Sequence, residues 1–215
     1  MNPDQRQVEF GDFQTPASLA RSVCGYLARQ GIAPTTIIEP TCGVGAFLLA
    51  SLEAFPDANL ALGLEVNPEY VARCRQSIAE AGQETRCQVA TADFFETEWE
   101  TLLDATAEPL LVIGNPPWVT NAALGAIGSA NLPVKANFQG RKGLDAITGK
   151  SNFDISEWML MHLLKWLSGR QATLAMLCKT AVARKVLRHS WQQDLEIHRA
   201  EIHKIDAARD FGAAV

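Results

Sequence analysis

Short apolar runs alternate with helix-like stretches along the whole chain, and this alternation constrains the fold more than any other feature. Six runs read as strands: Thr35 to Glu39, Leu60 to Glu65, Arg86 to Ala90, Leu110 to Gly114, Ala172 to Cys178 and Glu196 to Ile205. The stretches between them carry helix signals. Thr15-Pro16 reads as an N-cap with proline at the first helical position, and Gly31 ends that helix. Further helices are expected after Gly45 to about Phe55, over Pro68 to Glu80, Asp154 to Leu167 and Val182 to Trp191. Parallel strands need a crossover between them, so this order predicts an α/β fold with a doubly wound, mostly parallel, Rossmann-like sheet. At 215 residues, 47% of them hydrophobic, the chain can bury one good core.

Several classes are disfavoured. No run of 18 apolar residues suggests a membrane span, and the first residues have no signal-peptide pattern. The five cysteines form no C-x-x-C pair, and the four histidines have no metal-ligand spacing, so neither a zinc site nor a disulfide frame is expected. A cytoplasmic location follows as the simplest expectation. Net charge is −5, unevenly spread: residues 1–110 hold 6 Lys and Arg against 16 Asp and Glu, and residues 111–215 hold 13 against 8. The basic second half keeps a nucleic-acid partner open. Residues 119–152 read as a long loop of net charge +3, suited to phosphate contact at the mouth of a pocket.

Glu39-Pro40-Thr41-Cys42-Gly43-Val44-Gly45 reads as a strand end, a glycine loop and a helix start. The loop lacks the third glycine of dinucleotide binders and the Lys-Ser/Thr of phosphate loops. Glu65 closes the next strand about 20 residues on, where a carboxylate can accept from both hydroxyls of a ribose. Asp93 can accept from an adenine amino group, with Phe94 packing on the ring. The expected ligand is a nucleoside without a polyphosphate, which S-adenosylmethionine fits.

Asn115-Pro116-Pro117-Trp118 follows an apolar run, so it sits where open α/β sheets build their active sites. The prolines stiffen the turn and remove two N–H donors. The Asn115 oxygen and backbone carbonyls remain as acceptors, beside the flat face of Trp118. That set suits a planar substrate carrying an amino group.

Taken in order, these residues resemble the gamma-class adenine-N6 DNA methyltransferases. Phe13-Gln14-Thr15-Pro16 looks like their N-terminal motif, which meets the methionine carboxylate. Glu39 to Gly45 looks like their glycine motif, with the acidic residue near the methionine amino group. Glu65-Val66-Asn67-Pro68 is similar to the ribose-binding motif, Asp93-Phe94 to the adenine-binding one, and Asn115 to Trp118 to the catalytic one. Asn152 to Trp158 and Leu177 to Lys179 resemble later motifs. The resemblance implies a class I methyltransferase sheet whose seventh strand falls outside this chain, and one catalytic domain over residues 1–215. It implies S-adenosylmethionine as cofactor, bound by Thr15, Pro16, Glu39, Pro40, Thr41, Gly43, Gly45, Glu65, Val66, Asp93, Phe94 and Asn115. No metal is implied. The implied partner is double-stranded DNA with a flipped adenine, together with a cognate restriction system and a target-recognition domain after residue 215. The same motif also occurs in enzymes that methylate an RNA base or a glutamine amide. An inactive cofactor-binding subunit is a further alternative.

Overall fold

A computed structural model of the chain describes residues 14–118, 154–206 and 209. Helix α1 spans Ala17–Arg29 and strand β1 Thr36–Glu39. Helix α2 spans Ala46–Ala54, β2 Leu60–Glu65 and α3 Pro68–Glu80. Strand β3 spans Cys87–Thr91, α4 Trp99–Asp104 and β4 Leu110–Gly114. Helix α5 spans Ile155–Leu167, β5 Ala172–Met176 and α6 Thr180–Gln192. The five strands form one sheet in the order β3-β2-β1-β4-β5, and every neighbouring pair is parallel. Strand order reverses between β1 and β4. The fold is therefore the doubly wound α/β arrangement that the alternation predicts.

The register of β1 and β4 shows why both strands read as unbroken apolar runs. Both are buried throughout, because helices cover each face of the sheet. Ile37, Leu111 and Ile113 point into one core layer with Ala20 of α1, Phe47 and Leu48 of α2, and Val71 and Ile78 of α3. Ile38, Leu110 and Val112 point into the other layer with Leu103 of α4 and Met159 and Leu163 of α5. The two-residue strand period alone divides these neighbours between layers. Each fully buried Leu, Ile or Phe side chain contributes about 1.5–3 kcal/mol.

Helix starts follow local chemistry. Asn67 caps α3 by accepting from the Glu69 N–H at 2.9 Å, with Pro68 next in line. Asp154 caps α5 by accepting from the Ser156 N–H at 3.0 Å. At α1 the boundary moves by one residue. Pro16, not Thr15, occupies the N-cap position with extended backbone, and its carbonyl accepts from the Leu19 and Ala20 N–H groups. Thr15 is thereby left outside the helix.

Two further differences concern elements. The acidic stretch after Asp93 forms the short helix α4, which no period announces, because two buried side chains anchor it: Trp99 and Leu103. The strand expected over Glu196 to Ile205 does not form, and residues 196–206 are irregular. A strand needs a ladder partner, and none faces this segment among the described residues. Side chains tie it to α1 instead: the Tyr26 hydroxyl donates to Glu201 at 2.8 Å, and Arg199 donates to Gln30 at 3.0 Å.

Candidate active site

A cleft of about 900 Å³, including the solvent at its mouth, opens above the C-terminal ends of β1, β2, β3 and β4. Its position is the switch point between β1 and β4, where ligands bind in open α/β sheets.

The glycine loop forms its floor. Gly43 and Gly45 take φ of +53° and +88°, the left-handed region that glycine enters without strain. A Cβ on Gly45 would meet Cys74 Sγ at 2.5 Å, and one on Gly43 would meet Gln14 Oε1 at 2.7 Å. The loop thus lies flat between α3 and the Gln14 side chain, whose Oε1 accepts from the Val44 N–H at 3.3 Å.

Two buried carboxyls hold this floor in place. Glu65 Oε2 accepts from the Gly43 N–H at 2.9 Å, and Oε1 from the Asn67 N–H at 2.8 Å. Glu39 Oε2 accepts from the Leu48 N–H at 3.0 Å, in the first turn of α2. Burial raises the Glu39 carboxyl well above its usual range, with Cys74 and Glu65 adding to the effect. On the far wall, Asp93 Oδ1 accepts from the Phe95 N–H at 2.8 Å, fixing the turn after β3.

The structure brings most of the sequence-derived residues into this one cleft. Thr15, Glu39, Pro40, Thr41, Gly43 and Glu65 line one side, and Val66, Asp93, Phe94, Asn115 and Pro117 the other. Pro16, Gly45, Pro116 and Trp118 do not line it. Pro16 starts α1, Gly45 starts α2 against Cys74, and Pro116 is buried. The Trp118 indole N–H donates to the Leu177 carbonyl at 3.3 Å, just past β5. Phe94 is 5% exposed and packs against Trp99, Trp158 and Trp166. Its half-buried neighbour Phe95 also lines the cleft, as do Gln14 and Tyr70. Sequence reasoning missed these three. Gln14 and Phe95 adjoin recognised motifs, whereas Tyr70 lies on α3, one turn after Asn67.

The expected loop over residues 119–152 lies outside the described residues, as do Phe13, Asn152 and Phe153. Of the basic side chains on α6, Arg184 and Arg188 are exposed and Lys185 pairs with buried Glu157 at 2.7 Å. Among the described residues, no three His, Cys, Asp or Glu side chains group to hold a metal ion. No described helix is long and apolar enough to cross a membrane.

The charge of the cleft indicates what it can hold. Glu39, Glu65 and Asp93 line it, and no Lys, Arg or His does among the described residues. Such a lining repels phosphate and favours hydroxyl, amino and ammonium groups. A nucleoside that carries an ammonium group fits this donor and acceptor set.

Fold and cleft together define a doubly wound α/β protein with an acidic cleft at the switch point of its sheet. The chain belongs to the N-6 DNA methylase family, which matches residues 1–183. The type II methyltransferase M.NspV of Nostoc sp. is 43% identical over 98% of this chain and 44% of its own length. The type II methyltransferase M.XamI of Xanthomonas campestris pv. amaranthicola is 36% identical over 54% of this chain and 21% of its own. This chain spans less than half the length of the curated relatives it matches. Among solved structures, PH1948 of Pyrococcus horikoshii aligns with 83% of this chain and 69% of its own, at 18% identity and a TM-score of 0.48. The Bacillus cereus O-methyltransferase in complex with SAH aligns with 53% and 50%, at 13% identity and a TM-score of 0.43.

Proposed function

We propose that this protein methylates the exocyclic amino group of a flipped-out adenine in DNA, with S-adenosylmethionine as the methyl donor. The observation that carries this reading is the placement of Asn115 and Pro117 in the same cleft as the glycine loop and its carboxyls, in a chain of the N-6 DNA methylase family. When bound, the cofactor supplies an electrophilic methyl group. Glu65 accepts from ribose hydroxyls with the lone pairs its two backbone N–H bonds leave over. Asp93 accepts from the cofactor's adenine amino group, with the half-buried Phe95 ring beside it.

Extruding the target base costs a few kcal/mol, and stacking on an aromatic side chain offsets about 1–3 kcal/mol of that. Trp118, which is tethered to Leu177 and does not line the empty cleft, is assigned the stacking face in this reading. The Asn115 side-chain oxygen and the Pro116 carbonyl accept the two amino hydrogens, which draws the nitrogen lone pair out of the ring. As the N–C bond formed, the methyl–sulfur bond would break with its electron pair left on sulfur, and the two fixed acceptors would stabilise the positive charge arriving on nitrogen. The extra proton then leaves to water. A paired restriction nuclease is the corresponding partner, by analogy with the type II relatives.

The test is methyl transfer from labelled cofactor to duplex DNA by the protein as encoded in full, with adenine-free duplex, RNA and peptide as controls. Asn115→Ala is expected to lower the rate ~10²–10³-fold, with cofactor affinity nearly unchanged. Wild-type turnover in that variant would remove Asn115 from the mechanism. Equal labelling of adenine-free DNA would remove adenine as the target.

A further inference from the structure

Glu39 is a carboxyl in a place that cannot easily hold a charge. It ends β1 and is 3% exposed. Its side chain accepts one backbone hydrogen bond, from the Leu48 N–H. The titratable groups around it are all acids: Glu65 at the end of β2, Cys42 in the glycine loop, Cys74 on α3, Cys24 on α1 and Cys87 on β3. No described lysine, arginine or histidine makes an ion pair with it. Yet Glu39 lines the cleft, so a ligand can reach it.

Glu65 stands in the same cleft with better support. Two backbone N–H groups meet its two oxygens, one each. Hydrogen bonds to a carboxylate favour its charged form, and burial without a cation favours the neutral one. Two carboxyls in one site with unequal support divide their roles. Glu65 is the better supported of the two as an anion, and burial without a cation favours the neutral acid at Glu39. Burial accordingly holds the Glu39 carboxyl well above the usual range.

We infer that Glu39 is a proton-exchanging cation site. It is protonated in the ligand-free protein, and it releases that proton to solvent when the ammonium group of an amino-acid-tailed nucleoside enters the cleft. The inference rests on the cofactor reading above and adds a proton to its binding equilibrium. The balance is simple. The carboxyl O–H bond breaks and its proton goes to water. The ligand ammonium keeps its three N–H bonds and donates one to the new carboxylate. A neutral acid is thus replaced by an ion pair. Counting the ligand's own carboxylate, the cleft gains one net negative charge when S-adenosylhomocysteine binds, and the sulfonium of S-adenosylmethionine offsets it.

Calorimetric titration counts the proton. Wild-type protein is titrated with S-adenosylhomocysteine at about pH 6.5, in two buffers of different ionisation enthalpy. At that pH the ligand amino group keeps its proton. The expected result is release of close to one proton per ligand bound. Affinity should rise about tenfold per pH unit while Glu39 still carries its proton. 5′-Methylthioadenosine has the same nucleoside without the ammonium, and it should bind with no release. Glu39→Gln should bind S-adenosylhomocysteine more weakly and release nothing. If that variant does not fold, the two ligands on wild-type protein still decide. S-adenosylhomocysteine binding without proton release overturns the inference and leaves the cofactor reading standing. Equal release with both ligands also overturns it. Failure of both ligands to bind overturns the cofactor reading, and the inference with it.

Discussion

The two ends of the cleft are held by different forces. At the nucleoside end, buried carboxyls receive backbone N–H groups: Glu65 from Gly43 and Asn67, and Glu39 from Leu48. No cation takes part among those contacts. Past the Asn115 end, among residues that do not line the cleft, ion pairs and a side-chain donor join α5, α6 and the chain after β5. The Leu177 N–H donates to the Gly114 carbonyl at 2.9 Å, and Trp118 returns a bond to the Leu177 carbonyl. Lys179 meets buried Asp154 at 3.1 Å, and Lys185 meets buried Glu157. The first end depends on backbone shape, so it should tolerate almost no added atoms. The second depends on particular side chains, so it should fail by their loss.

The largest effect on protein stability that this contrast predicts is at Gly45. Gly45→Ala forces a side chain into left-handed backbone and onto Cys74 Sγ. Strain and overpacking together should cost about 2–4 kcal/mol, read as a fall in the urea midpoint. A loss below about 0.5 kcal/mol would break the claim that this end is backbone-limited. Lys179→Met comes next. It leaves the Asp154 carboxylate buried without its cation, but Lys179 is itself 37% exposed, which moderates the effect. The expected cost is about 1–3 kcal/mol, again in unfolding, and Asp154→Asn in the same background should recover part of it.

Trp118→Phe is smaller and more specific. Any aromatic face can stack on a base, yet only tryptophan carries the N–H that reaches Leu177. The variant should lose about 0.5–1.5 kcal/mol of base engagement, measured as KM for DNA, with cofactor affinity unchanged. An effect on cofactor binding instead would blur the division between the two ends.

The smallest effect is a pH dependence. Glu39 has its folded carboxyl raised above the ordinary value of 4.5. The folded state therefore binds more protons than the unfolded chain between those two values. The Glu39 contribution to stability is fully present below about pH 4.5 and is lost as pH rises through the raised folded value. Wild-type stability relative to Glu39→Gln should fall over that window in the absence of ligand. A difference independent of pH would mean that Glu39 is ionised in the empty cleft.

The sheet and the glycine loop were largely legible from residue order. Strands β2 and β4 and helix α3 lie where their patterns placed them, because each carries its own period or cap. The contacts of the glycine loop are short in sequence: Asn67 to Glu65, Leu48 to Glu39 and Gly43 to Glu65 span two, nine and 22 residues. The contacts of the Asn115 end span more. Trp118 to Leu177 crosses 59 residues, Lys185 to Glu157 28 and Lys179 to Asp154 25. No local pattern announces such pairs.

By itself, then, the sequence determined the α/β alternation, the glycine loop, and the kinds of side chain at each strand end. Those depend on periodicity and on backbone rules that act over a few residues. Only the tertiary structure decided that Phe94 turns into an aromatic core while Phe95 joins it at the cleft, and that Trp118 is tethered through its indole N–H. It also decided that residues 196–206 do not extend the sheet. The same holds for the proton on Glu39. A glutamate reads alike in any sequence, and its charge depends on which groups the fold packs around it: here a helix N–H, three walls of apolar side chains and other acids.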